Sequence, residues 1–105
     1  MTMIVRMCEA RVVPGRLDEF VAFTLERGWP LMQAADGFVG GELYRADSDT
    51  EPRLVMITRW RAEAALAGFA GPEWRSTPVL LPDEEQYLAR PLHVWHFSQV
   101  VGRGS

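Results

Sequence analysis

The stretch Arg53-Leu54-Val55-Met56-Ile57-Thr58-Arg59-Trp60 decides the fold. Leu54, Met56, Thr58 and Trp60 fall on one face, and Val55, Ile57 and Arg59 on the other, which is the period of a strand. Upstream, Phe38 to Arg45 is also extended in character, and Ala46 to Pro52 between them is a polar turn rich in Asp and Ser, so the two strands form an antiparallel hairpin. Working outward, Arg61 to Phe69 is a helix of Ala, Glu and Leu, broken at Gly71-Pro72. Helix is expected to resume over Glu73 to Thr77, and a further short segment runs from Leu81-Pro82-Asp83 to about Leu88. On the N-terminal side, Met3 to Val13 is a strand closed by Pro14-Gly15. Arg16 to Gly28 is a helix burying Leu17, Phe20, Val21, Thr24 and Leu25, with Gly28 as its stop. Trp29-Pro30 opens a second helical piece to Ala35. Pro91 to Val101 is the last strand, and Gly102 to Ser105 is expected to fray. Strand, helix, strand, strand, helix, strand is the split βαβ order of an α+β, ferredoxin-like sandwich.

The 105 residues suit a single domain, 1–105, with neither internal repeat nor linker. Net charge is −3, which gives no electrostatic case for nucleic acid or an anionic membrane surface. All eleven basic residues are Arg, and the chain contains neither Lys nor Asn. Schiff-base chemistry, a pyridoxal phosphate aldimine and a Walker-type phosphate loop are thereby excluded. A single cysteine, Cys8, excludes an internal disulfide and a cysteine-built zinc site. With no His or cationic helix end near it in sequence, Cys8 reads as a buried, inert thiol. No apolar run is long enough to span a bilayer, and the opening residues lack a signal-peptide pattern, so a cytoplasmic protein is expected.

The last strand places Leu92, Val94, His96, Ser98 and Val100 on one face and His93, Trp95, Phe97, Gln99 and Val101 on the other. Both faces of the sheet are substantially apolar, and two helices cover only one of them. A homodimer whose sheets pack face to face is expected. His93 and His96 point to opposite faces and cannot chelate one metal within a subunit, so no metal site is expected. Either one, near neutral pH, has the chemistry of a proton acceptor. Trp29, Trp60, Trp74 and Trp95, with Phe23 and Phe69, have the makings of a flat aromatic site, core and dimer packing being the alternative. Trp74, in the Gly71-Pro72-Glu73-Trp74-Arg75 turn, is least explained by core periodicity. Tyr44 and Glu42 share a strand face, and Arg59 and Arg75 have the charge to hold a phenolate or carboxylate.

Val13-Pro14-Gly15, Asp18-Glu19-Phe20, Ala35-Asp36-Gly37-Phe38-Val39-Gly40, Ile57-Thr58-Arg59-Trp60, Glu63-Ala64 and Gly71-Pro72-Glu73-Trp74-Arg75 together resemble the antibiotic biosynthesis monooxygenase (ABM) domain, from about Ile4 to Val101. The resemblance implies a dimeric α+β barrel with a pocket between helices and sheet in each subunit. One branch of that family oxidises polycyclic aromatic molecules without metal or flavin, and another degrades heme. The heme branch uses an Asn on the first strand, a Trp after the third strand and an axial His. Those positions fall here at the Cys8, Glu9, Ala10 window, near Phe69, and near Pro78 or Val79. The aromatic-oxidising branch also uses an Asn. The resemblance therefore implies a cofactor-independent monooxygenase acting on an aromatic or polyketide-like small molecule. In that reading His96 is the base, Arg59 the cationic stabiliser, and Trp60, Trp74, Phe69, Phe23, Tyr44 and Trp29 bind substrate. The missing Asn favours the alternative, a non-catalytic binding or structural dimer of the same fold, and heme degradation is not expected.

Overall fold

Alternating side chains and a short polar turn produce the central hairpin, β2 (Phe38–Ala46) and β3 (Arg53–Trp60). In the structure, a computed structural model that describes residues 3–102, β1 (Ile4–Arg11) and β4 (His93–Ser98) complete a sheet of order β2-β3-β1-β4. Every neighbouring pair is antiparallel. With the helices on one side, this is the α+β, ferredoxin-like architecture. The register aligns Arg6 with Thr58 on one side and His96 on the other, and Cys8 with Met56 and Val94. Directly paired residues share a face, so Arg6, Cys8 and His96 lie on the same side of the sheet as buried Leu54, Thr58 and Trp60. Gly41 pairs with Thr58, and a Cβ there would run into the Ile57 carbonyl oxygen, so only glycine permits this approach of β2.

The first helix does not stop at Gly28. α1 (Leu17–Phe23), a π-helical turn (Thr24–Gly28) and α2 (Trp29–Gln33) follow without a break, and the junction residues Thr24, Gly28 and Trp29 all have right-handed helical torsions. The Trp29 N–H bonds the Thr24 carbonyl, one residue further back than in an α-helix. Pro30 has no N–H and would crowd the carbonyl four residues earlier, and the widened turn relieves that conflict. α3 (Glu63–Ala70) then ends at Gly71, whose φ of 94° is left-handed. Residues 73–77 form a turn rather than a helix, with the Ser76 and Thr77 N–H groups both donating to the Glu73 carbonyl before Pro78 ends it. The segment after Pro82 shortens to a 3₁₀ turn, Glu84–Tyr87. β4 is shorter than Pro91 to Val101 because Ser98 already pairs with Ile4, where β1 begins. The frayed tail expected from Gly102 lies, beyond Gly102 itself, outside the described residues.

Two clusters hold the helices to the sheet. Ala10, Val12, Leu17, Phe20, Phe23 and Leu54 form one, and Trp60, Leu66 and Trp74 the other. On the opposite face Val5, Met7, Val55 and Ile57 surround Tyr44, Trp95 and Phe97, which remain 55%, 38% and 50% exposed. No helix among the described residues is long and apolar enough to cross a membrane.

Candidate functional site

Between the inward sheet face and the α1–α2 helix is a partly open cavity of about 80 Å³. Phe20, Phe23, Leu54, Met56, Phe69 and Leu81 supply much of its apolar wall, and the π-helical turn contributes Thr24 and Gly28. Its polar lining is Arg6, Cys8, Thr24 and Glu84.

Arg6 is there because the two-residue period of β1 turns it inward between Ile4 and Cys8, where it is only 6% exposed. Its Nη1 donates to the Trp74 carbonyl at 2.8 Å and to His96 Nε2 at 3.1 Å, and its Nη2 donates to the Thr77 carbonyl at 3.3 Å. Arg6 therefore ties the turn after α3 to the sheet. A guanidinium only donates, so His96 Nε2 must accept, which leaves its ring neutral with the proton on Nδ1. Burial first, then the charges of Arg6 and Arg75, hold the His96 pKa below its ordinary value. The Trp74 ring meets His96 edge-on at 4.8 Å, and the Arg75 guanidinium lies 4.3 Å from the Trp74 ring centre. Among the described residues no carboxylate lies within ion-pairing distance of Arg6. The cavity thus contains a buried cation compensated only by carbonyl dipoles and a neutral imidazole, an expensive arrangement to leave without an anion.

Cys8 is the next inward residue of β1. It is half-buried rather than buried as expected, yet desolvation by its neighbours pushes its thiol up to about 12, with Arg6 pulling the other way. Glu84 reaches the cavity from the 3₁₀ turn. The preceding Asp83 is left-handed (φ 71°), a strained conformation for a residue with a side chain, and it turns the chain inward. Glu84 Oε1 accepts the Leu81 N–H at 2.9 Å, while burial raises the carboxyl pKa above its usual value. A carboxyl that protonates more readily folded than unfolded stabilises the protein below its unfolded pKa. That contribution is lost as pH rises through the higher folded value. Glu84→Gln keeps the Leu81 contact and removes the ionisation. It is expected to flatten this part of the stability profile and to be at least as stable as the parent at pH 7. Urea denaturation at pH 4, 5.5 and 7 tests this, and a variant clearly weaker at pH 7 contradicts it.

Of the sequence-derived substrate residues, Phe23 and Phe69 line the cavity. Trp60 is fully buried behind Phe69, stacked at 5.1 Å, with its Nε1–H on Thr58 Oγ1 at 2.9 Å. Trp74 is buried against His96 rather than on the cavity wall, and Trp29 packs edge-on to Phe38 at 6.2 Å. Tyr44 is on the outer sheet face. So is Arg59, which holds Glu42 with two bonds of 2.7 and 3.0 Å that lower the Glu42 pKa and raise that of Arg59. His96 and Arg59 therefore do not form one site, since the sheet lies between them. Residue 59 falls between the inward positions 58 and 60, so no register brings it to the helix side. Sequence reasoning passed over Arg6, Thr24 and Glu84. The available signal was a charge at an inward position of β1. Glu84, in an irregular turn, offered none.

The family model described as antibiotic biosynthesis monooxygenase matches residues 3–77, which contain Arg6, Cys8, Thr24 and Phe69. Among solved structures, Rv0793 from Mycobacterium tuberculosis superposes with a TM-score of 0.70 at 19% identity, covering 97% of this chain and 99% of that one. A Bordetella bronchiseptica protein assigned to the antibiotic biosynthesis monooxygenases gives 0.72 at 24%, covering 96% and 100%. The heme-degrading protein Rv3592 of M. tuberculosis gives 0.67 at 18%, covering 99% and 98%. At these identities the likeness is one of fold. No curated protein is matched by this sequence. The architecture, the cavity between helices and sheet, and the match over residues 3–77 agree: the chain belongs to the antibiotic biosynthesis monooxygenase family.

Proposed function

We propose that this protein is a cytoplasmic, homodimeric monooxygenase that oxidises a small aromatic or polyketide-like molecule without metal or flavin. The observation that carries the reading is the cation Arg6, without a carboxylate partner among the described residues, in a cavity walled by Phe20, Phe23 and Phe69. Such a site favours the conjugate base of a phenol or an activated CH₂ group. Glu84, as carboxylate, accepts the substrate proton, and Arg6 holds the resulting oxyanion. The anion transfers one electron to dioxygen, and the radical pair combines into a peroxide. Loss of water then leaves a new carbonyl, so one oxygen atom enters the product and the other leaves as water. His96, its lone pair engaged by Arg6, is a positioning residue in this scheme. Arg59 and Tyr44 belong to the outer face through which two copies pack.

Heme plays no part in this reading: Cys8, Phe69 and Val79 line the cavity, and none of the three is a histidine. The second reading, a binding dimer without chemistry, is favoured by Cys8 standing in the first-strand window where the resemblance places an Asn. Oxygen uptake with single-ring phenols or cyclic 1,3-diketones, which fit a cavity of about 80 Å³, separates the two. Saturable uptake, reduced about 10²-fold in Arg6→Met as for loss of an oxyanion donor, supports the enzyme. Saturable binding with uptake no faster than in buffer leaves the binding module. Sedimentation equilibrium at micromolar concentration tests the dimer, and a stable monomer contradicts it.

A further inference from the structure

We propose that the ligand of this cavity is a small organic acid, no larger than a single ring or a short branched chain, bound as the anion against Arg6 with the Glu84 carboxyl alongside. This rests on the cavity being the substrate site, and is independent of the oxygen chemistry.

Three observations lead there. Arg6 has five N–H groups, and those described account for Nη1 and one of Nη2. The Nε–H and the second Nη2 N–H have no partner among the described residues, on a residue that is only 6% exposed and has no ion pair, and since no fully buried side-chain nitrogen is left unpaired there, the Nε–H is accessible to a small ligand. A two-oxygen anion is the group that matches adjacent guanidinium donors. Size is the second constraint. The cavity of about 80 Å³ is well below the roughly 150 Å³ of a cavity that encloses benzene. A single ring, part of it at the open side, is the upper limit, and a fused polycycle is too large. Third, Glu84 lines the same cavity. Were both Glu84 and the ligand ionised, they would repel each other, so the two share a single proton. A neutral acid entering beside a carboxylate and an anion beside a protonated Glu84 are the same state of this site.

The charged or titratable groups that line the cavity with Glu84 are Arg6 and Cys8 on β1; His96 lies behind Arg6, and the Arg27–Asp83 pair, 3.6 Å apart, adjoins Glu84 in the chain. Cys8, at about 12, does not titrate near neutrality. His96 is held below its ordinary value, and whatever it contributes to the pH dependence is retained in Glu84→Gln, so the difference between that variant and the wild type belongs to Glu84.

The test is calorimetric titration with benzoate and with its neutral isostere benzamide. The wild type is expected to prefer benzoate by at least about tenfold, the scale of charge-assisted hydrogen bonds. The preference should vanish in Arg6→Met and persist in part in Arg6→Lys. From pH 5 to 9 benzoate affinity should fall more in the wild type than in Glu84→Gln, the difference between the two reporting the Glu84 proton. Equal binding of the two ligands by the wild type, no binding of benzoate at millimolar concentration, or a preference surviving in folded Arg6→Met each overturns the proposal. A flat wild-type profile removes Glu84 from it. If Arg6→Met does not fold, Arg6→Lys and the wild-type comparison decide. Benzoate binding without oxygen uptake on any phenol removes the monooxygenase reading and leaves this one. Uptake on neutral quinols with no preference for the anion does the reverse.

Discussion

Replacing Trp60 with alanine should destabilise the protein by about 3–5 kcal/mol, the range for deleting a large aromatic side chain from a core. Trp60 is fully buried, with Phe69 stacked on one side and Phe38 edge-on at 5.5 Å. Its removal opens a void and takes from the Thr58 hydroxyl its indole partner. Against a total stability of about 5–15 kcal/mol, that loss brings a chain of this size close to unfolding. Trp60→Phe retains much of the packing and should cost markedly less. Urea midpoints for the two variants test this. The contrast also separates the two roles that the sequence permits for Trp60. A substrate wall would lose ligand affinity with little change in stability, whereas a core residue shows the opposite pattern. Because Phe69 rests on Trp60 and itself lines the cavity, binding is expected to weaken only as the fold weakens.

The difference between what was legible in the chain and what was not follows from the same geometry. β3 occupies the expected Arg53–Trp60 because strict alternation over a half-buried strand leaves little freedom of register. That alternation already set Arg59 opposite Thr58 and Trp60, so its separation from an inward His was readable once the inward face was identified. Which of His93 and His96 faces inward was not readable, since both strand faces are apolar. Pairing of His96 with Arg6 decides it. Gly28 misled because a glycine before Trp-Pro ordinarily ends a helix, and nothing local announces a π-helical turn. Glu84 was out of reach for a related reason. Its approach to the cavity depends on a left-handed Asp83, a tertiary constraint that side-chain periodicity does not encode. Arg6 was the missed opportunity, a charge in an inward row of Ile4, Cys8 and Ala10.

Cys8 should react with a neutral disulfide such as dipyridyl disulfide about 10²-fold more slowly at pH 8 than an exposed cysteine, before any effect of access. A thiol pushed up to about 12 is thiolate to roughly one part in 10⁴ at pH 8. An ordinary thiol near 8.5 is roughly a quarter ionised, so supply of the nucleophile falls by about 2,500-fold. The more basic thiolate is intrinsically more reactive, and a Brønsted coefficient of about 0.4–0.5 over some 3.5 pK units recovers about 30–50-fold. Confinement in a cavity of about 80 Å³ slows the reaction further. Two signatures distinguish this from simple shielding. The rate should rise tenfold per pH unit well beyond pH 8.5 instead of levelling there, and it should reach ordinary values in urea. Arg6 lowers the Cys8 pKa, so Arg6→Met should slow the reaction at fixed pH despite opening space, which a purely steric account does not anticipate. A rate that levels near pH 8.5 would show that the thiol is not desolvated. Arg6 and Cys8 would then be facing water, and the reason for placing an anion beside Arg6 would disappear with it.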